Sequence, residues 1–301
     1  MNQSKKDNSK FFNLKMSEKN FIAFTLFQWN TLNKILADKK GFPYISEEIL
    51  SWKYREPLIQ KIINENKGDI ICLEEVRNEY FKNDILDKCD IKYDIVFGLR
   101  PNKLMGNMIG VNKDLFSIES HENILLEEGE GKPGGQNLIS AIINDKKTNN
   151  KFVIIIIHLK SKDKDEDKRL CQVNHIIKYI EQNYLGKYPI FILGDFNTRP
   201  KSISMMKFLG NKNMNVLSLF DFDKLDYTTI KKRDILYKRI IDYVFFVGKN
   251  RDENGIYENE LKILSVEKAK PEHIDEKIGL PNDVFPSDHL FLKAKVELTF
   301  L

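Results

Sequence analysis

The run FVIIIIHL, Phe152–Leu159, places six consecutive apolar residues, four of them isoleucine, ahead of a histidine. A β-branched run without alternation predicts a strand covered on both faces. LFLKAKVEL, Leu290–Leu298, behaves differently: Leu290, Leu292, Ala294, Val296 and Leu298 alternate with charged and aromatic neighbours, which predicts a half-exposed strand. A chain that needs both kinds of strand needs layers on both sides of some strands and solvent beside others. The predicted architecture is α/β (α+β): one domain over residues 20–301, in which two packed sheets form a sandwich flanked by helices, four layers in all.

The remaining elements work outward from that run. FIAFTLFQWN, Phe21–Asn30, alternates and is rich in aromatics, so it predicts a first strand ending at Asn30. In PLIQKIINEN, Leu58, Ile59, Ile62 and Ile63 share one helical face, and Pro57 suits a first turn. DIICLEEV, Asp69–Val76, is a short apolar run closed by two glutamates. A short helix near Tyr80–Lys88 precedes strands near Tyr93–Phe97, Asn107–Asn112 and Leu138–Asn144. EEGEGKPGGQN, Glu127–Asn137, reads as a loop whose far end, Asn137, can reach a substrate. Leu170, Val173, Ile176, Ile177 and Ile180 stand at helical spacing within residues 168–184, and Pro189–Leu193 is the strand that leads into ILGDFNTRP, Ile192–Pro200. RIIDYVFFV and LKILSVE complete the C-terminal third.

Composition narrows the partners. Lys+Arg 48 against Asp+Glu 44 leaves a net charge of +4, which suits a local basic cleft for an anionic substrate rather than a surface that coats nucleic acid. Cys72, Cys89 and Cys171 are odd in number and widely spaced, as in a reducing compartment. Residues 1–19 are polar and lysine-rich, contain Asp7 and Glu18 and no arginine, and lack the apolar stretch of a signal peptide or membrane span. They predict a flexible tail and no membrane association. Cytoplasm is the default compartment, with nucleus and mitochondrion left open, and a monomer is the default assembly; no protein partner is indicated.

Polar or ionisable residues recur where apolar runs end. Asn30 follows FTLFQW, Glu74 and Glu75 follow DIICL, His158 follows FVIIII, and Asp195 and Asn197 follow the strand before them. Asp242 interrupts RIIDYVFFV, and Asp288 and His289 precede the last strand. Any one of them is ordinarily a cap or a turn residue. Together, at one sheet rim, they suit metal-assisted attack of water on a phosphate ester. Glu75 is the candidate ligand of a hard divalent cation. Asp195 would deprotonate the attacking water with Asn197 helping to hold it, His289 paired to Asp242 would face the phosphate, and His158 would donate to a phosphoryl oxygen.

Asn30 in QWN, Glu75 in CLEEV, His158 in HLK, Asp195 and Asn197 in GDFN, Asp242 in IDYVF and Asp288–His289 in PSDH resemble, in order, the motif set of the endonuclease/exonuclease/phosphatase superfamily. The likeness runs from about Phe21 to the end and implies a deoxyribonuclease-like two-sheet sandwich. LSWKYREPLIQKI, DYTTIKKR and IGLPNDVFPSDHLFL are similar to tracts of its nocturnin and carbon-catabolite-repressor deadenylase group. That resemblance implies Mg2+, with Mn2+ as a substitute, and an RNA 3′ end or NADP(H) as substrate. It gives Asn30 and Asp288 places beside Glu75 at the metal, and Lys160 and Arg233 contacts to phosphate.

Three positions depart from the group. Glu74 stands where glutamine is usual and adds a carboxylate near the expected metal. Lys162 stands where arginine is usual, a point charge in place of a bidentate fork. Ile230 replaces an aromatic residue and with it a surface for base stacking. Trp52 and Arg55 are expected to serve packing and a surface salt bridge.

Overall fold

The computed structural model describes residues 20–101, 105–129, 131–249 and 259–300, and the predicted tail over residues 1–19 lies outside them. In chain order the elements are β1 (Asn20–Asn30), α1 (Glu47–Leu50), α2 (Trp52–Asn66), β2 (Ile70–Val76), α3 (Asn78–Asp84), β3 (Tyr93–Leu99), β4 (Gly106–Asn112), β5 (Phe116–Glu127), β6 (Pro133–Asp145) and β7 (Lys151–His158). There follow α4 (Glu166–Asn183), β8 (Ile190–Asp195), α5 (Ile203–Leu209), β9 (Met214–Ser218), β10 (Thr229–Lys232), β11 (Leu236–Arg239), β12 (Asp242–Lys249), β13 (Asn259–Lys268) and β14 (Leu292–Phe300). They form two six-stranded sheets, ordered β13-β14-β1-β2-β4-β3 and β5-β6-β7-β8-β12-β9, beside a β10–β11 hairpin.

β7 shows why the sheets stack. Its even-numbered side chains Phe152, Ile154 and Ile156 enter the core between the sheets with Phe24, Leu26, Ile70 and Ile109. Val153, Ile155 and Ile157 point the other way, onto Val173, Ile176 and Ile180 of α4. The Phe24 and Phe152 rings stack at 5.0 Å, tying β1 to β7 across the inter-sheet space. On the far side of the first sheet, Phe27, Ile71 and Leu73 pack against Ile59 and Ile63 of α2 and Phe81 of α3. The order is helix, sheet, sheet, helix. β14 keeps its expected alternation, with Leu292, Ala294, Val296 and Leu298 buried and Lys295 exposed.

Some elements differ from their sequence reading. α2 begins at Trp52, where the Ser51 hydroxyl accepts from Tyr54 N, so Pro57 sits inside the helix rather than in its first turn. β5 has no apolar signature because it is a sheet edge whose residues 120–123 are exposed. EEGEGKPGGQN is a hairpin connection rather than a long loop, since β6 already starts at Pro133.

β1 pairs in parallel with β2, and β7 in parallel with β8, with α2 and α4 carrying the crossovers. Parallel strands joined this way bring their C-terminal ends to one rim, where loops are free to carry chemistry. Asn30, Glu74 and Glu75, His158 and Asp195 all stand at or next to these ends.

Candidate active site

Asp195 is the last residue of β8 and is placed by the glycine before it. Gly194 has φ +143, and a Cβ there would meet the Ile157 carbonyl oxygen at 2.0 Å, so only glycine lets β8 lie this close to β7. His158 is therefore in register with Asp195, and His158 Nε2 lies 3.4 Å from Asp195 Oδ2. Oδ2 also accepts from Asn30 Nδ2 at 3.2 Å, across from the other sheet. Oδ1 accepts from the backbone N–H of Asn197 at 2.8 Å, while Asn197, at φ +50, donates its side-chain amide to Leu159 O at 3.1 Å. Burial pushes the Asp195 carboxyl up to about 7, with His289 pulling it down and Asp242 raising it further.

Asp242 opens β12 directly opposite Asp195. Its oxygens lie 3.1 and 3.0 Å from His289 Nδ1 and also accept from Thr228 Oγ1 at 2.6 Å and Gln28 Nε2 at 3.4 Å. His289 Nε2 then faces Asp195 Oδ2 at 3.8 Å. Burial opposes charge on this imidazole, but Asp242 and Asp195 outweigh it and hold its pKa well above the ordinary histidine value. Trp29 Nε1 fixes the loop by donating to His289 O at 2.8 Å.

A bulge separates the two glutamates. The pairing of β2 with β4 slips between Glu74 and Val76, and Glu75 takes φ +60. Glu74 is fully buried and accepts from Gln28 Nε2 at 3.0 Å; burial, then Asp242 and Asp195, push its carboxyl far above the usual range. That upward shift disfavours a second negative charge beside the expected metal position. Half-buried Glu75 accepts instead from Asn30 Nδ2 at 3.3 Å and Asn33 N at 3.0 Å.

Not every expected residue joins this cluster. The Asp288 carboxylate turns to Lys231 Nζ at 3.3 Å; burial would raise its pKa, but Lys231 and His289 bring it below the usual value. Asn137 is fully buried in β6, donating to Gly98 O at 2.9 Å and Asn123 Oδ1 at 2.6 Å, so it is a strand residue with a committed amide rather than a loop end open to substrate. Lys160 is half-buried, Lys162 is exposed at φ +83, and Arg233 is exposed in the β10–β11 turn; these three cations stand outside the hydrogen-bonded cluster. Ile230 is fully buried in the outer core, so the lost aromatic concerns packing there and not a base-stacking face.

Sequence reasoning missed Thr228, Gln28, Asn33 and Arg100. Gln28 had a signal, since it lies two residues before Asn30 and strand side chains of that spacing share a face. Arg100 had none. It is 7% exposed, its Nε and Nη2 make no hydrogen bond among the described residues, and burial lowers its pKa against the pull of Glu75, Asp195 and Glu74. Arg55 is fully buried rather than at the surface, donating to Pro286 O and Leu32 O at 2.8 Å each. Trp52 packs as expected, edge-on to Tyr80 at 4.7 Å.

Asp195, Asp242 and His289 each offer one ligand atom, all within 4.8 Å of one another, an acidic group of a kind that can hold a cation. The Asp242 oxygens are already engaged by His289, Thr228 and Gln28, so this group fits a proton-holding pair better than an ion. Half-buried Glu75 is a hard oxygen donor and fits magnesium, whereas Asn30 is 1% exposed and would have to turn its oxygen from Leu32 N, at 3.1 Å, to join it.

Over residues 27–289 the sequence matches the Endonuclease/Exonuclease/phosphatase family. It is 26% identical over 314 residues to Nocturnin of Drosophila melanogaster, covering 91% of this chain and 46% of that protein. It is 22% identical over 339 residues to the CCR4-Not complex 3′-5′-exoribonuclease subunit Ccr4 of Kluyveromyces lactis, covering 92% and 41%. The chain thus spans about half the length of these curated relatives. The human Nocturnin catalytic domain with bound sulfate superposes with a TM-score of 0.68 at 22% identity, over 93% of this chain and 96% of that one, and so shares the fold. The chain belongs to the Endonuclease/Exonuclease/phosphatase family.

Proposed function

We propose that this chain is a divalent-metal-dependent hydrolase of a phosphate ester in an adenine-containing substrate, acting as a 3′–5′ exoribonuclease that shortens poly(A). The observation that carries the reading is Asp195: a buried carboxylate held by Asn30 and Asn197, flanked by His158 and His289, with Glu75 one hydrogen bond further on through Asn30. Asp195 accepts the proton of the attacking water, and its raised pKa makes it a stronger base than an exposed aspartate. The water oxygen bonds to phosphorus as the bond to the leaving oxygen breaks. His289, kept cationic by Asp242, and His158 donate to the phosphoryl oxygens as charge builds on them. Glu75 and Asn30 would hold magnesium, which would neutralise phosphate charge when bound. Arg100, Lys160 and Lys162 add positive charge for the rest of the substrate.

The small excess of positive charge, +4, favours a second reading in which the same site removes the 2′-phosphate of NADP(H). Purified protein with magnesium separates the two: AMP is measured from short poly(A), and phosphate from NADP, with Asp195→Ala as the blank. Release of AMP establishes the exoribonuclease. Phosphate from NADP alone replaces it with a dinucleotide phosphatase, and silence on both leaves a non-catalytic adaptor of RNA decay.

A further inference from the structure

The three segments that build the site meet a second time beyond it. His158, Asp195 and Asp242 are in register on adjacent strands. Five residues after the first, four after the second and three before the third stand Asp163, Arg199 and Arg239. Arg239 Nη1 and Nη2 donate to the two Asp163 oxygens at 2.8 and 3.0 Å, and Arg199 Nη2 lies 3.8 Å from Asp163 Oδ2. This fork-on-fork geometry is the one arginine uses for phosphate.

The two ends of the clamp are built differently. The Arg239 guanidinium lies over the Tyr237 ring at 4.9 Å. Its backbone carbonyl accepts from the N–H of Thr228, whose hydroxyl holds Asp242, so the arginine is tied to the catalytic frame. Asp163 is 66% exposed on the loop after Lys160 and Lys162, where Arg169 Nη2 donates to its carbonyl at 3.3 Å. An exposed ion pair contributes little to stability. A phosphate, with more charge and more acceptor oxygens, competes well for the same fork.

We propose that Arg199 and Arg239 form a second phosphate subsite, covered in the free protein by the Asp163 carboxylate, for a nucleotide that carries two phosphate groups. Three residues of chain reach at most about 11 Å, so the Arg239 backbone stays close to Asp242. The inference rests on the phosphoesterase reading for the phosphate at Asp195, yet its test needs no turnover.

Binding of adenosine 3′,5′-bisphosphate and of AMP is measured by calorimetry in EDTA for the full chain, Asp163→Ala, Asp163→Ala with Arg239→Ala, and the exposed control Asp234→Ala. The bisphosphate is expected to bind more tightly than AMP. Asp163→Ala should widen that preference about fivefold by removing a carboxylate that competes for a bidentate arginine contact. The gain should vanish when Arg239 is also replaced. Three results overturn the subsite: no gain in Asp163→Ala, an equal gain in Asp234→Ala, or no binding of the bisphosphate at all. Failure to hydrolyse poly(A) and NADP alike would instead remove the phosphoesterase reading and leave the binding result standing.

Discussion

His289 presents Nδ1 to Asp242 at 3.0 Å and Nε2 to Asp195 at 3.8 Å, so one imidazole stands between two buried carboxylates from opposed strand ends. A neutral imidazole placed there would have one proton for two acceptors. Asp242 therefore fixes both the charge and the orientation of the ring. Asp242→Asn keeps the shape and removes the charge, and kcat is expected to fall by about 10²–10⁴ with little change in KM. Steady-state kinetics on the hydrolysed substrate check this; an unchanged kcat would mean that His289 needs no anionic partner.

Gly194 sets the distance between β7 and β8 on which the His158–Asp195 contact depends. A Cβ at this φ of +143 would collide with the Ile157 carbonyl. Gly194→Ala should cost about 3 kcal/mol or more, the sum of left-handed strain and a backbone shift. Urea denaturation reads the loss directly. A cost below 1 kcal/mol would show that the strands can separate there at little expense, about that of an ordinary surface change.

Arg55 joins the turn after Asn30 to the turn before His289 by donating to Thr31 O, Leu32 O and Pro286 O. Burial brings its pKa down to about 10, with Asp288 the chief opposing charge. Arg55→Met leaves those carbonyls unpaired, at a cost of about 3 kcal/mol. It should also lower kcat, because the turns that follow Asn30 and precede His289 lose their link through Arg55. Thermal unfolding and kcat are expected to fall together, and a variant that loses neither would reduce Arg55 to packing.

Which of these features the sequence carried depends on where their signal lies. Asn30, His158 and Asp195 are legible because each follows an apolar run long enough to be a strand, and the repetition of polar residues at several such ends points to one rim where a single one would read as a cap or a turn. The layering is legible in the contrast between β7 and β14. Arg55 and Arg100 were not, since a buried cation looks in sequence like a surface one; its partners lie far along the chain, as Pro286 does for Arg55. The glycines before Asn137 resemble a loop in sequence, whereas Gly134 and Gly135 are already part of β6 and make Asn137 a strand residue. Asp288 and Asp242 look alike locally, and only the fold turns one toward Lys231 and the other toward His289.

Asp195 also gives the metal-free protein a pH dependence. Its carboxyl rises from 3.8 to about 7 on folding, chiefly through burial. A raised acid pKa contributes stability that is complete below the unfolded value and is lost as pH rises through the folded one. Asp195→Asn mimics the neutral acid at every pH. In EDTA the variant should therefore gain in Tm relative to the parent between pH 5 and pH 8.5; a difference in Tm that is the same at both values would contradict it.

Glu75 separates ion binding from proton transfer. It accepts from Asn30 and Asn33 at the bulge after Glu74, while the proton-handling groups are Asp195, Asp242 and His289. Glu75→Gln keeps the size of the side chain but withdraws its negative charge and one of the two oxygens that accept from Asn30 and Asn33. Excess magnesium should then restore activity to Glu75→Gln in part, because Asn30 and the substrate phosphate still offer oxygens. The same excess should do nothing for Asp195→Asn, whose missing group takes a proton rather than a cation. Magnesium titrations of the two variants decide the matter: rescue of Asp195→Asn, with none of Glu75→Gln, would exchange their roles and move the ion to the Asp195, Asp242 and His289 group.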